Sequence, residues 1–370
     1  VVWGFWAKAD ISTRISSFYI LINLTILFDF FFVVIFTFFL AKELIHDKWW
    51  QLLPVFLLTN TLMFVFLSGG ISYDNPTNLA SAAGLYFLVR ALKGKNWLTN
   101  SLGWMIPIAF ASLVKHTILP LALAMGAVWL YDLLKNKRPL SLSQFRDPKT
   151  LALLILLVLF VALNLGLYGV NLIRFQSLRP ACKDSFSQEI CQDTVWAIRR
   201  RELGLPEKLN LIQAYRRGYP DPIRYTFDTW IREMLKRTFG IMGHKNYFPI
   251  LITYYHLAAF WMALLGFRYI KKPSFEIISL IGIFIFYALV LLWMNYNSEL
   301  TYGFKQVALQ GRYMFPVISI AFVLYAYILT KVSSKAVQLL TLAATILLFF
   351  YGGPLQFFLD YAKVFSEWFI

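Results

Sequence analysis

Runs of about 20 predominantly apolar residues recur along this chain, and no other feature restricts its fold as much. Lipid offers backbone N–H and C=O groups no partners except each other, so such runs are read as membrane-spanning helices. Ten are read, at 19–41, 50–70, 77–92, 98–113, 116–134, 151–173, 249–268, 274–294, 312–330 and 336–353. With 59% hydrophobic residues, the chain would expose far too much apolar surface in water. The expected fold is therefore an all-α integral membrane bundle. A single helix over 98–134, kinked at Pro107 and Pro120, would be about 55 Å long, so two helices broken at Lys115 and His116 fit a bilayer better.

Charge orients the stack. The net charge is +16, yet the basic residues sit at helix ends and are not interleaved with aromatics on one soluble face, which argues against nucleic acid as a partner. Connections carrying Arg90, Lys93 and Lys95, then Lys135, Lys137, Arg138, Arg146 and Lys149, then Arg268, Lys271 and Lys272, then Lys331 and Lys335 fall on one side of ten spans. The positive-inside rule makes that side cytoplasmic. The turn at 71–76, the break at 115–116, the long stretch 174–248 and the loop 295–311 are then external.

Four regions follow: an N-terminal membrane part (1–173), an external segment (174–248), C-terminal membrane helices (249–353) and a tail (354–370). The stretch "VVWGFWAKADISTRISS" has none of the marks of a signal peptide and reads as the tail of an external loop, so an earlier span is expected before Val1. The two cysteines, Cys182 and Cys191, lie in the external segment, where a short disulfide loop is the natural reading. Later in that segment, Ile223, Phe227, Trp230, Ile231, Met234, Leu235 and Phe239 form a helical apolar stripe, with Arg224, Arg232, Lys236 and Arg237 off it. Such a helix lies in the membrane interface. It either covers the bundle or turns its cations toward a lipid-linked phosphate.

Polar residues gather at the external helix ends. Tyr73, Asp74, Asn75 and Asn78 lie in "SGGISYDNPTNLA", Lys115 and His116 at the next external turn, and Gln310, Arg312 and Tyr313 in "VALQGRYMFPV". Ionisable groups near membrane depth are costly and face a cavity or a partner, so several on one side point to one external cavity. Each also has a plainer reading. Asp74 caps the helix that follows Pro76, Lys115 and Arg312 anchor at the interface, and His116 packs. Asp29, within the first span, pairs with Asn23 or another helix, and Glu276 suits the start of its helix.

The segments "ISYDNPTNLASAAGLYFLVRALK", "ASLVKHTILPLALA", "RTFGIMG" and above all "LQGRYMFPV" resemble a family of predicted prokaryotic multispanning proteins related to the GT-C superfamily of glycosyltransferases. The resemblance covers about residues 14 to 331, and "QGRY-x-x-P" is its most specific part. It implies an external active site on a helical bundle and a polyprenyl-phosphate-linked sugar as donor. It also implies Asp74 as a catalytic acid or metal ligand, with Asn75, Asn78, Tyr73, Lys115, His116, Arg224, Arg237, Gln310, Arg312 and Tyr313 around the donor phosphate or sugar. The family's first external acid falls upstream of "STRISSFY", where Asp10 is the one acid present. A divalent cation, Mg or Mn, would suit that chemistry. A nucleotide cofactor would not, because no Gly-rich phosphate loop, Rossmann fingerprint or Walker motif occurs. Two other classes stay open: a transporter, which would need inverted repeats and deep charges, and a non-catalytic scaffold subunit of an envelope complex.

Overall fold

The computed structural model describes residues 11–70, 72–138, 147–178, 180, 182–192, 195–202, 209–242, 245–246, 250–302 and 309–361. They are helical apart from turns and a two-residue antiparallel pairing of Ile241–Met242 with Lys245–Asn246. Among the described residues, six helices are long and apolar enough to cross a membrane: Trp97–Val114, His116–Lys135, Pro148–Phe175, Phe275–Tyr302, Gly311–Lys331 and Lys335–Leu359. The pair Lys48–Thr59 and Leu62–Ser68, bent by 69°, makes a seventh if it is one broken span.

Ten spans were expected, and helices also stand at the other three positions: Ile11–Leu44, Asp74–Leu92 and Ile250–Gly266. Two of them fall outside the six for identifiable reasons. Asp74–Leu92 opens on polar Asp74, Asn75, Thr77 and Asn78, and Ile250–Gly266, with 17 residues, is about 25 Å long. The side chains of the first half of Ile11–Leu44 lie outside the described residues, as does the Asn23 side chain; Asp29 itself is buried.

Close packing, rather than the exclusion of water, drives helices together in lipid, and small residues make it possible. Asp74–Leu92 carries buried Ala80, Ser81, Ala82, Ala83 and Gly84. A Cβ at Gly84 would come within 2.8 Å of the Ile108 side chain, so a glycine is what lets Asp74–Leu92 lie against Trp97–Val114. The Gly311–Lys331 helix is central, with 72% of its apolar window buried, whereas Pro148–Phe175 is peripheral at 6%. A buried hydrogen bond of 2.8 Å between Thr37 and Ser319 ties the first helix to the central one.

Ion pairs fasten the bundle at one end. Glu43 pairs with Lys93 at 3.3 Å and Lys95 at 2.9 Å. Fully buried Asp132 pairs with Arg138 at 3.1 Å, and the same guanidinium donates to the Leu92 carbonyl at 3.0 Å. Leu92 closes the helix that Asp74 opens. This basic end therefore lies about 28 Å from Asp74 along the helix axis.

Candidate anion site

Three helix ends converge on Asp74. The broken pair ends at Ser68, and the Asn75 amide donates to the Leu67 carbonyl at 3.0 Å, which also accepts from Gly70 N, and to the Gly70 carbonyl at 2.9 Å, tying the helix end to the turn that follows. Asn75 is thus committed to holding the turn. Asp74 begins the next helix with its side chain buried, and Asn78, one turn on, lies buried on the same face.

Lys115 is supplied by the interruption after Trp97–Val114. Its backbone is extended (φ −147°, ψ 116°), and a short 3-10 turn, His116–Ile118, follows before the chain resumes as a helix. The interruption leaves Ser112 O without its usual amide partner, and the Tyr168 hydroxyl donates to it. Asn164 braces the same turn, accepting from the Ser112 hydroxyl at 2.6 Å and donating to Ala109 O at 2.8 Å. Tyr168 lies in a π-turn, Leu165–Gly169, a geometry that shifts side chains out of α-helical phase.

Arg312 comes from the short 3-10 turn Gly311–Met314 that leads into the central helix. Gly311 sits where a Cβ would come within 2.5 Å of the Arg237 main chain. Arg237 Nη1 donates to the Leu309 carbonyl at 2.5 Å, and its Nε lies 3.6 Å from Glu233. Gln310 caps the turn through its main chain, its carbonyl accepting from Tyr313 N at 3.1 Å.

The result is one carboxylate shared by two cations. Lys115 Nζ donates to Asp74 Oδ1, and Arg312 Nη1 lies 3.5 Å from Oδ2. Asp74 is 1% exposed and Lys115 6%, while Arg312 is 29% exposed, so the cluster opens on the arginine side. Tyrosine rings wall it: Lys115 Nζ stands 4.7 Å from the Tyr313 ring centre and 5.4 Å from that of half-exposed Tyr73. Arg312 lies 5.6 Å from the Tyr313 ring, and the Tyr287 hydroxyl fixes Tyr313 by donating to its carbonyl at 2.9 Å. Burial pushes the Lys115 ammonium below the usual lysine range, and the charge of Asp74 opposes that shift. The Nε of Arg312 is buried with no hydrogen-bond partner.

The chain has no significant match among protein-family models, curated proteins or solved structures. Its residues therefore carry the functional reading.

Of the residues anticipated from sequence, Tyr73, Asp74, Lys115, Arg312 and Tyr313 meet here, and His116 and Gln310 adjoin them in the chain. Arg237 serves as a bracket behind the Arg312 turn. Arg224 is 70% exposed and pairs with Asp228 at 3.1 Å, so it belongs to the outer surface of its helix. Asp10 lies outside the described residues. Cys182 and Cys191 are joined by a disulfide. Among the described residues no three His, Cys, Asp or Glu side chains converge, and the one carboxylate of the cluster is paired with Lys115 and Arg312. Sequence reasoning did not pick out Tyr168, Tyr287 or Glu233, whose roles depend on contacts between distant helices.

The stripe of 223–239 divides in two. Trp230, Met234 and Phe239 are buried, whereas Ile223 and Phe227 are exposed. A π-turn at Thr226–Trp230 takes up an extra residue and rotates the first turn away from the buried face. Trp230 is locked by donating to Asn295 at 2.9 Å.

Proposed function

We propose that this chain is a GT-C-type membrane glycosyltransferase, moving a sugar from a polyprenyl-phosphate donor to an acceptor hydroxyl on the external face of a prokaryotic plasma membrane. The observation that carries this reading is the sharing of Asp74 by Lys115 and Arg312. One acid and two cations leave one positive charge, directed to the open side by an arginine whose fork suits phosphate. The basic clusters around Lys93, Lys95 and Arg138 lie at the opposite helix ends, which supports an external position for Asp74 under the positive-inside rule. A bundle of about ten spans, counting the three further helices, belongs to the same proposal.

The chemistry follows from charge. The acceptor hydroxyl loses its proton to a base as its oxygen attacks the anomeric carbon. The bond from that carbon to the phosphate oxygen breaks, and its electron pair leaves with the polyprenyl phosphate. Arg312 and Lys115 stabilise the charge that develops there, a contribution that preorganised donors make without further rearrangement.

Proteoliposomes holding the chain and a labelled panel of polyprenyl-phosphate sugars test this reading. Conversion of donor to free polyprenyl phosphate with the label in a new product is expected, and unchanged donor across the panel would sink it. A second reading, a lipid or solute transporter, is favoured by the 69° break between Thr59 and Leu62, one short helix away from the site, since broken helices line transport pathways. It predicts label crossing the bilayer with its donor bond intact.

A further inference from the structure

We infer that Asp74 is a positioning residue, holding the Lys115 ammonium and the Arg312 guanidinium in one convergent arrangement that receives a phosphate, and that it does not take the acceptor's proton. This inference rests on the proposed donor site. Access is the first ground. The Asp74 side chain is 1% exposed, behind Arg312 at 29%, so an acceptor hydroxyl would have to pass the cations to reach it.

Occupancy is the second ground. A general base must present a lone pair to the proton it removes. Here Oδ1 accepts from Lys115, and Oδ2, which makes no hydrogen bond, is buried 3.5 Å from the Arg312 guanidinium, so a proton taken up there would have to disrupt that ion pair. The third ground is the donor left over: the buried Nε of Arg312 has no hydrogen-bond partner. An arginine with one end held by a carboxylate and another donor unused is arranged for a second anion. Lys115, Arg312 and Asp74 come from three separate helix ends, so the carboxylate is what brings the two cations to a common point.

The test is equilibrium binding of dodecyl phosphate and of inorganic phosphate to the whole chain in detergent. The native protein is compared with Asp74→Asn, Asp74→Glu, Lys115→Met and the double variant Asp74→Asn/Lys115→Met. The native protein should bind dodecyl phosphate, and Asp74→Asn should bind it at least about tenfold more weakly, the equivalent of about 1.4 kcal/mol. Asp74→Glu, which keeps the charge, should recover most of that affinity. If Asp74→Asn does not fold, the double variant carries the test. It removes both buried charges together, which proteins tolerate better than losing one, and it should bind dodecyl phosphate more weakly than Lys115→Met alone, because Arg312 then also lacks its carboxylate partner. Native-like or tighter binding by Asp74→Asn, or a double variant that binds as well as Lys115→Met, overturns the positioning role while leaving the donor site standing. A native protein that binds neither probe, or binds both equally well, overturns the lipid-linked donor site itself.

Discussion

Gly311 lies against the main chain of Arg237, so closely that a Cβ at position 311 would come within 2.5 Å of the Arg237 carbonyl group. Backbone cannot retreat as a flexible side chain can. The 3-10 turn bearing Arg312 is therefore seated on the helix Ile231–Phe239, with Arg237 clamping it through the Leu309 carbonyl. Gly311→Ala should push that turn outward. We expect a loss of about 1–3 kcal/mol in stability, the usual cost of overpacking, together with weakened dodecyl phosphate binding. Thermal unfolding and binding measured on one preparation check both, and unchanged values would show that the seating is unimportant.

This relation shows where sequence reading reached its limit. "QGRY" stands out in the sequence as a motif, and Arg312 groups with Asp74 and Lys115 because all three fall at helix ends on one side. Hydropathy and charge periodicity suffice for that much. The break at Lys115 was legible for the same reason, since one helix over 98–134 would be too long for a bilayer. The reason for Gly311 was not legible, because it is the approach of a segment some seventy residues earlier in the chain. Nor was the split of the 223–239 stripe, because a π-turn changes the period on which the stripe was counted. Arg237 looked like a phosphate ligand by charge alone, and only its contacts with Leu309 and Glu233 reveal a bracket.

At the opposite end, Asp132 is fully buried and receives Arg138 through two nitrogens, at 3.1 and 3.2 Å. Removing one partner of such a pair leaves an uncompensated charge, so Asp132→Ala should destabilise by about 3–5 kcal/mol. Asp132→Asn/Arg138→Met should cost clearly less. Equal melting temperatures for the single and double variants would contradict the pairing.

Tyr168 caps a carbonyl three residues before Lys115. Tyr168→Phe keeps the ring and loses one hydrogen bond, worth about 1 kcal/mol. The break should loosen, and dodecyl phosphate affinity should fall by a factor of about five if that energy is passed on to Lys115. An affinity equal to the native value would separate the cap from the site.

The Cys182–Cys191 disulfide supplies a test of sidedness. In intact cells, a maleimide probe added outside should label neither cysteine. After a membrane-impermeant reductant it should label both. Labelling that requires permeabilised cells would place the 174–248 segment on the other face and invert the proposed topology.

The most direct measurement is the rate of sugar transfer from a labelled polyprenyl-phosphate donor by native protein and by Arg312→Ala, each shown to be monodisperse in detergent. If Arg312 stabilises the departing phosphate, the variant should be slower by about 10²–10³, the range found when a preorganised transition-state donor is removed. An Arg312→Ala protein that transfers sugar at the native rate would contradict the assignment of this cluster as the donor site.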